Sequence, residues 1–237
     1  MATPYAIVEL ESAESTQDEA RALSDRVSPT LVIAENQPEG RGRLGRAWVE
    51  PDRALFSSLA FIPTWPAPAW SRIPLVAGLA VREAIDERCG ITVGLRWPND
   101  LVVEEGKIGG LLAESGDGLV VVGCGINMVW DEPMIGAAAL FTQGSNAIQA
   151  RDLAVAWVDR FLERMSRPPE AWGVDEYRRF CITVGRRVSY PSGSGTAVGI
   201  SEEGALLVET NGAVVAVDSG EVRLHDPARL PGDRRGT

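Results

Sequence analysis

Residues 92–127 read TVGLRWPNDLVVEEGKIGGLLAESGDGLVVVGCGIN, and this stretch decides the fold. Short runs rich in valine, leucine and isoleucine alternate there with turn sequences, among them Glu105-Gly106 and Asp117-Gly118. Pairs of an acidic residue and a glycine between apolar runs are typical of β-hairpins. The stretch therefore predicts β-strands at residues 92–97, 101–104, 107–114 and 119–124.

The sequence before this stretch predicts further helices and strands. Apolar residues in Trp70–Arg88 recur at helical spacing, and Gly90 is a suitable stop. Ser15 or Thr16 is a suitable N-cap for a helix that runs to about Arg26. Apolar, β-branched runs predict strands at residues 5–10, 31–34 and 55–61.

The sequence after this stretch predicts two helices and then a small β domain. Gln149–Met165 and Pro169–Phe180 have amphipathic patterns. From Val184 onward, short β-like runs are separated by glycine, serine and asparagine, which is typical of a barrel of about five strands. We therefore predict an α+β fold with a mixed or antiparallel sheet and helices over residues 1–180, a small β domain over 181–226, and a flexible tail over 227–237.

The composition is that of a globular protein. The chain has 237 residues, a formal net charge of −10 and 45% hydrophobic residues, which excludes an intrinsically disordered chain. It lacks a long apolar run and an N-terminal signal pattern, so we expect a cytoplasmic protein with no membrane partner. The acidic balance argues against general nucleic-acid binding, which depends on phosphate neutralisation. Cys89, Cys124 and Cys181 match neither a disulfide framework nor a metal-binding spacing.

Lys107 is the only lysine, against 22 arginines. A bias of the whole chain towards arginine explains most of this ratio. The one remaining lysine is then informative, because its compact ammonium differs chemically from the planar guanidinium fork of arginine. Lys107 is therefore a candidate functional residue.

The first candidate site is the loop Gly40–Trp48, with the sequence GRGRLGRAW. Its three glycines let the backbone approach a ligand closely, and its three arginines supply forked donors for carboxylate and phosphate oxygens. The loop is therefore suited to gripping an anionic ligand and to becoming ordered around it. The alternatives are a solvated basic loop or a weak nucleic-acid patch, and the surrounding acidity disfavours the latter.

The second candidate site is Arg96–Leu101, with the sequence RWPNDL. Pro98 restricts Trp97 to extended geometry, and Asn99 and Asp100 then stand at a strand end where they can face a cleft. An aspartate in such a place can hold Mg²⁺ or accept a proton from an amine. The alternative is a plain turn, since Pro-Asn-Asp is good turn chemistry.

Glycines also interrupt two of the predicted strands. They lie in Lys107–Glu114, with the sequence KIGGLLAE, and in Gly123–Asn127, with the sequence GCGIN. A glycine within a strand often marks a place where a ligand or another backbone comes close. These two motifs are therefore the third and fourth candidate sites.

The four motifs, in this order and spacing, resemble those of the biotin–protein ligase family. The match runs from Glu14-Ser15-Thr16 through GCGIN into the β-rich C-terminal segment, and so covers nearly the whole chain. The resemblance implies a class II synthetase-like ligase domain followed by an SH3-like barrel. It also implies a two-step reaction. Biotin and Mg·ATP form biotinyl-5′-adenylate and pyrophosphate, and a lysine of a biotin carboxyl carrier domain, of the acetyl-CoA carboxylase type, then takes the biotin as an amide and releases AMP.

The resemblance also implies a role for each matching residue. Catalytic roles fall to Arg43, Lys107 and Asp100. Asp100 would hold Mg²⁺ or would orient or deprotonate the attacking lysine. Biotin contacts fall to Ser15, Thr16, Gln37, Gly40, Arg41, Arg43, Trp48, Lys107, Gly109 and Gly110. Nucleotide contacts fall to Arg41, Arg43, Arg46, Trp48, Asn99, Gly125 and Asn127. Three positions depart from the usual family pattern: Gln17 stands in place of an asparagine, Arg96 in place of a lysine, and Cys124 in place of an aliphatic residue.

Several alternative functions are compatible with the sequence. One is a lipoate or octanoate ligase of the related fold, and another is a catalytically inactive module that binds biotin. A biotin-responsive regulator would need a DNA-binding domain ahead of Tyr5, so we expect no DNA partner. The chain is not expected to be a biotin carrier, because Lys107 precedes Ile-Gly-Gly instead of lying in a Met-Lys-Met-like hairpin. A homodimer is compatible with the resemblance.

Overall fold

The main sheet has seven strands. The computed structural model describes residues 4–46, 48–49, 51–104, 106–142, 148–218 and 222–225. The strands are Ala6–Ser12 (β1), Thr30–Asn36 (β2), Arg53–Phe61 (β3), Gly94–Arg96 (β4), Asp100–Val103 (β5), Gly106–Gly116 (β6) and Leu119–Val129 (β7). Their order in the sheet is β1-β2-β3-β7-β6-β5-β4. β1 and β2 run parallel and the other neighbours run antiparallel, which confirms the prediction of a mixed sheet with helices.

The β6–β7 hairpin forms where the sequence predicts it. Asp117 and Gly118 have φ angles of 51° and 79°. A tight two-residue hairpin turn requires positive φ at both central positions, because its twist then matches that of the flanking strands. The turn fixes the register of the two long strands, in which Leu112 faces Gly123 and Gly110 faces Gly125.

Helices cover both faces of the main sheet. They are Thr16–Leu23 (α1), Ile73–Cys89 (α2), Ala150–Met165 (α3) and Val174–Phe180 (α4). Leu55 and Leu59 of β3 belong to the large core that α2 and α3 also build, and the indole Nε1 of Trp157 donates to Ser57 Oγ at 3.1 Å. Ala60 points to the opposite face, where it packs against Ala20 of α1. Alternate residues of β3 therefore serve different layers.

The helix predicted over residues 169–180 is interrupted. Pro169–Ala171 forms a short 3₁₀ turn and α4 begins only at Val174. Gly173 between them has a φ of 101°, which no helical residue adopts. The periodic pattern of apolar residues does not reveal this break.

The C-terminal strands form a second, five-stranded antiparallel sheet. They are Arg187–Tyr190 (β8), Gly193–Ile200 (β9), Leu206–Thr210 (β10), Ala213–Val217 (β11) and Arg223–Leu224 (β12), in the order β11-β10-β9-β8-β12. The predicted small β domain is thereby confirmed. The division at residue 180 stays a prediction, and the predicted tail over 227–237 lies outside the described residues. Among the described helices, none has both the length and the apolar character that crossing a bilayer requires.

Candidate functional site

A cavity of about 230 Å³ opens on the α1 side of the main sheet. Its walls come from the start of α1, the loop after β2, the turn between β4 and β5, and the middle of β3, β6 and β7. Most of the predicted site residues line it: Ser15, Thr16, Gln37, Arg41, Arg43, Arg46, Trp48, Asn99, Asp100, Lys107, Gly110 and Gly125. Motifs that are up to about a hundred residues apart in sequence thus meet in one place.

The floor of the cavity is shaped by two rows of residues across the strands. One row joins Phe56 of β3, Gly125 of β7, Gly110 of β6 and Asp100 of β5. The neighbouring row joins Ser58, Gly123 and Leu112. Residues paired across strands share a face, and rows two residues apart lie roughly 7 Å from each other along the strands. The three glycines leave space on this face that side chains would otherwise fill.

The arginine-rich loop forms a tight turn over this floor. The N–H of Gly42 donates to the Arg46 carbonyl at 2.7 Å, and the N–H of Trp48 donates to the Gly40 carbonyl at 2.8 Å. Leu44 and Gly45 have φ angles of 59° and 72°, so the turn reverses direction through left-handed backbone. Trp48 then reaches the floor, because a Cβ on Gly125 would lie 3.2 Å from its ring.

The loop arginines are held by partners on other elements. Arg43 donates to Asn99 Oδ1 at 3.0 Å, which ties the loop to the RWPNDL turn. Arg41 donates to both carboxylate oxygens of Asp18 at 2.6 and 2.7 Å. The hydrogen bond to Asp18 is the main reason why the pKa of Arg41 is raised. The guanidinium groups are therefore partly preorganised, which lowers the cost of ordering them around a ligand.

Lys107 and Asp100 form the central ion pair of the site. Lys107 Nζ lies 2.7 Å from Asp100 Oδ1 and 5.7 Å from the centre of the Trp48 ring. Arg96 Nη1 lies 3.9 Å from the other carboxylate oxygen of Asp100. A Cβ on Gly110 would lie 3.4 Å from the lysine nitrogen. A compact ammonium fits this place between Asp100, Gly110 and Trp48, and the functional role of Lys107 stays a prediction.

The charge of the cavity is opposite to that of the whole chain. Its lining contains the cations Arg41, Arg43, Arg46, Arg96 and Lys107, with Asp100 as the carboxylate among the described lining residues. The formal net charge of the chain is −10. A local concentration of cations in an acidic protein focuses the field on the cavity and attracts anionic ligands to it.

The part of the cavity around Thr16 is lined mainly by uncharged polar side chains. Gln37 Oε1 accepts hydrogen bonds from the Thr16 N–H at 2.7 Å and from Thr16 Oγ1 at 2.9 Å. Thr16 Oγ1 is also 2.8 Å from Ser58 Oγ. Ser15 is buried beside them, with its hydroxyl 3.5 Å from Arg41. These groups offer hydrogen bonds to a neutral polar ligand.

The turn that carries Asn99 and Asp100 is anchored to two residues that lie just outside the strands of the C-terminal sheet. The backbone N–H of Trp97 donates to Thr183 Oγ1 at 2.9 Å, and its indole Nε1 donates to the Gly204 carbonyl at 2.9 Å. The Trp97–Pro98 peptide bond is cis. Asn99 Nδ2 donates to the Leu111 carbonyl at 3.0 Å, which fixes the turn on β6. The C-terminal segment thus helps to position the second motif.

Three predicted residues do not line the cavity. Gly40 is packed against Gln37, where a Cβ would come 2.8 Å from Gln37 Nε2. Gly109 faces the packed side of the sheet, where a Cβ would come 2.5 Å from Ile126 Cδ1. Asn127 is buried and donates to the Ala138 carbonyl at 2.8 Å. Their predicted contacts with ligands stay predictions.

Sequence reasoning missed several residues of the lining: Gln17, Phe56, Ser57, Ser58, Gly123 and Cys124. Ser57 and Ser58 are the two polar residues in the buried middle of β3, which is a signal that the sequence offered. Gly123 stood in the fourth motif but received no role. Cys124 behaves as a buried apolar residue, since burial raises the pKa of its thiol.

Three comparisons with known proteins point to one family. Residues 9–127 match the biotin/lipoate A/B protein ligase family, and residues 183–224 match the biotin protein ligase C-terminal domain. The biotin–[acetyl-CoA-carboxylase] ligase of Mycobacterium tuberculosis is 32% identical over 226 residues, which covers 86% of this chain and 82% of the relative. The bifunctional ligase/repressor BirA of Bacillus subtilis is 28% identical, with 89% of this chain and 71% of the relative covered. The structure of a biotin protein ligase from Aquifex aeolicus, solved with biotin and ATP, has a TM-score of 0.79 at 27% identity and covers 93% of this chain and 98% of its own.

Proposed function

The chain belongs to the biotin/lipoate A/B protein ligase family, and from that membership we propose that it is an ATP-dependent biotin–protein ligase. Biotin and Mg·ATP give biotinyl-5′-AMP and pyrophosphate. The amine of a lysine on a biotin carboxyl carrier domain then attacks the activated carbonyl, forms the amide and releases AMP. The observation that carries the proposal is the cation-lined, glycine-floored cavity in which all four sequence motifs meet.

The first step is helped by the cations of the cavity. It brings a carboxylate against a polyphosphate, and the two anions repel each other. Arg41, Arg43, Arg46 and Lys107 line one cavity and can neutralise both partners. Preorganised positive charge that meets developing negative charge in a confined site stabilises the transition state strongly. We therefore assign the phosphates and the reacting carboxylate to this end of the cavity.

Asp100 serves the second step. Its carboxylate lies between Lys107 and Arg96 and faces the cavity, where an incoming amine would arrive. A carboxylate at this place can orient the attacking lysine and take up a proton from its amine. The ion pair with Lys107, 2.7 Å away, fixes the position of the carboxylate at this end of the cavity.

The donor set also fits Mg·ATP as a substrate. Mg²⁺ is usually held by one or two carboxylates together with the phosphates of the nucleotide. Asp100 supplies one carboxylate at the cationic end, and the described residues contain no cluster of three or more side chains that would hold a metal without the nucleotide. Asp100 is therefore the residue that would hold the ion together with the phosphates.

The glycine floor and Trp48 suit the remaining parts of the substrates. Gly110 and Gly125 let the Trp48 ring lie close against the sheet, and the ring then offers an apolar surface to an alkyl chain or a planar base in the cavity. The loop that carries Trp48 closes over this surface and shields it from water. Such shielding protects an acyl adenylate, which water would otherwise hydrolyse.

Other assignments follow from the same proposal. Residues 1–180 form the ligase domain, and residues 181–226 form a C-terminal domain that positions the Trp97 turn. We assign the enzyme to the cytoplasm, and the net charge of −10 argues against DNA binding. Its protein partner is the carrier domain that supplies the acceptor lysine.

The proposal is tested by measuring pyrophosphate release from Mg·ATP with biotin, lipoate or octanoate in parallel. We expect release with biotin, followed by a mass gain of one biotinyl group on an added carrier domain. A matched carrier domain whose acceptor lysine is replaced by arginine should gain no mass. Release with lipoate or octanoate in place of biotin would assign the chain to a lipoate-type activity, and release with none of the three acids would contradict the proposal.

A further inference from the structure

Gln17 lies in the cavity without a role in the reaction described above. It sits in the first turn of α1, only 5% of its surface is exposed, and it lines the polar end of the cavity. Its Oε1 is buried and has no hydrogen-bond partner among the described residues. A buried polar atom without a partner costs free energy, so such an atom at a cavity wall indicates a missing partner.

The orientation of the Gln17 amide is fixed by its other contacts. Nε2 donates to Glu114 Oε2 at 3.2 Å and lies 3.4 Å from the Leu112 carbonyl. Both of these groups are acceptors, so the amide cannot rotate by 180° without placing oxygen against oxygen. Arg21 Nη2 lies 3.6 Å from the same oxygen of Glu114, which helps to hold that carboxylate in place. The Gln17 Oε1 atom must therefore point away from Glu114 and Leu112.

That direction leads to the cavity floor. A Cβ on Gly123 would lie 2.8 Å from Gln17 Oε1 and 3.3 Å from Ser58 Oγ. Gly123 thus leaves the space into which the oxygen points. It belongs to the row of Ser58 and Leu112, roughly 7 Å along the strands from the row of Gly110, which borders Lys107.

The separation of the two rows decides which part of a substrate reaches Gln17. The carboxylate of the acid must lie at the end with Lys107 and Arg43, where the phosphates are. The opposite end of the same molecule then lies beside Gly123. For biotin this opposite end is the ureido ring, which presents N–H donors. For octanoate or lipoate it is an alkyl or dithiolane group, which presents none.

We propose that Gln17 is a specificity-determining residue that accepts a hydrogen bond from a ureido N–H of biotin. Glu114 is its positioning residue, because it holds the amide with the oxygen towards the cavity. This inference rests on the proposed function. A substrate with an apolar head would bury Oε1 without a partner, and a site built to bond a polar group rejects analogues that lack it.

The first test replaces Gln17 by methionine, which has a similar length but neither amide group. We expect Q17M to raise the KM for biotin at least about tenfold and to leave the KM for ATP within about twofold, since one buried hydrogen bond to the acid is lost. The matched control is Q149M, at an exposed glutamine before α3 whose side chain makes no capping hydrogen bond. The melting temperatures of both variants show whether they fold.

The second test uses the ligand and does not depend on the folding of a variant. Biotin methylated on one or the other ureido nitrogen lacks one N–H donor. The wild-type protein should bind one of the two methylated acids at least about tenfold more weakly than biotin, whereas Q17M should discriminate between that acid and biotin much less. Equal discrimination by the wild type and Q17M, measured by calorimetry, would overturn the proposal.

The third test concerns the positioning role of Glu114. E114Q lets the Gln17 amide rotate, so we expect a several-fold rise in the KM for biotin with no change in the KM for ATP. The double variant Q17E/E114Q restores a donor at position 114 and an acceptor at position 17, and should recover most of the affinity of the wild type. Failure of the double variant to improve on the better of its two single variants would contradict the role of Glu114.

If the wild-type protein activates biotin while Q17M behaves like Q149M, this inference fails and the proposed function stands.

Discussion

The two faces of the main sheet are built from the same strands but carry different side chains. On the packed face, which is the face towards α2 and α3, Leu55 and Leu59 are completely buried in a continuous apolar core. On the cavity face, which is the opposite one, the same strands present Ser58, Gly123 and Gly125 to the cavity. The alternation of side chains along a strand lets one set of residues stabilise the fold while the intervening set binds ligands. Substitutions on the two faces should therefore have separable effects.

The largest effect is expected when the space on the cavity face is filled. In Gly125→Val the new Cβ would lie 3.2 Å from the Trp48 ring, and its methyl groups would displace the ring and occupy the cavity. We expect adenylate formation to fall at least about a hundredfold, because small misplacements of reacting groups cost that much. Stability should hardly change, since valine favours strands. Single-turnover pyrophosphate release and thermal melting measure the two effects.

The control for this variant is Gly199→Val in β9. A Cβ there would meet only Leu207 Cδ1, at an ordinary 3.7 Å, and it lies in the C-terminal sheet. Its activity should match that of the wild type. If Gly125→Val were as active as Gly199→Val, the assignment of the cavity face to ligand binding would be wrong.

A smaller loss of activity is expected at the edge of the cavity face in Lys107→Arg. The charge is kept, but the guanidinium is larger than the ammonium that fits between Asp100, Gly110 and Trp48. We expect adenylate formation to fall more than about tenfold with the melting temperature unchanged, since the compact charge at the reacting carboxylate is lost. Arg151→Lys, at an exposed pair with Glu9, is the matched control and should have no effect. An unchanged rate in Lys107→Arg would remove Lys107 from the reacting centre.

The packed face should respond in the opposite way. Leu59→Ala removes a fully buried side chain from the core and should lower the free energy of unfolding by about 2–5 kcal/mol. The KM values for biotin and ATP should stay close to those of the wild type at temperatures where the variant is folded. Urea denaturation and steady-state kinetics test the two statements. A rise in the KM for biotin without loss of stability would show that the faces are not separable.

The smallest effect is expected at Cys124, which points to the packed face beside the cavity. Burial raises the pKa of its thiol, so less thiolate is present at pH 8 than for a free cysteine, and alkylation should be slower because the thiolate is the reactive form. Iodoacetamide labelling followed by mass spectrometry should leave Cys124 unmodified in the folded protein and modify it in urea. Labelling of Cys124 in the folded protein at the rate of a free thiol would contradict this burial.

The sequence predicts the elements and most of the cavity lining, because the signals are local. Strand glycines such as Gly110 and Gly125 mark close approach, and the arginine loop is visible as a charge reversal in an acidic chain. The polar end of the cavity could not be derived in this way. Gln17, Ser58 and Gly123 meet only because β3 pairs with β7 in one register and α1 lies across them. Pairing between distant strands is not encoded in any short window of sequence.

The interruption at Gly173 has a similar explanation. The apolar pattern of residues 169–180 continues through the glycine, but its positive φ is set by the packing around it, where Leu79 and Arg164 lie close to the position of a Cβ. The resemblance to a known family supplied the roles of individual residues, while the structure supplied their arrangement. The two faces of the sheet became distinct only when the register was known.

The most direct test of this account is a crystal structure of the protein with a non-hydrolysable analogue of biotinyl-5′-AMP. We predict that the ligand lies along the cavity face, with its ring system beside Gly123 and Ser58 and its phosphate analogue among Arg41, Arg43 and Lys107. The packed face should stay as it is, with Leu55 and Leu59 unmoved. A ligand bound outside the glycine-floored cavity, or bound with its ring system at the end with Lys107, would contradict the account.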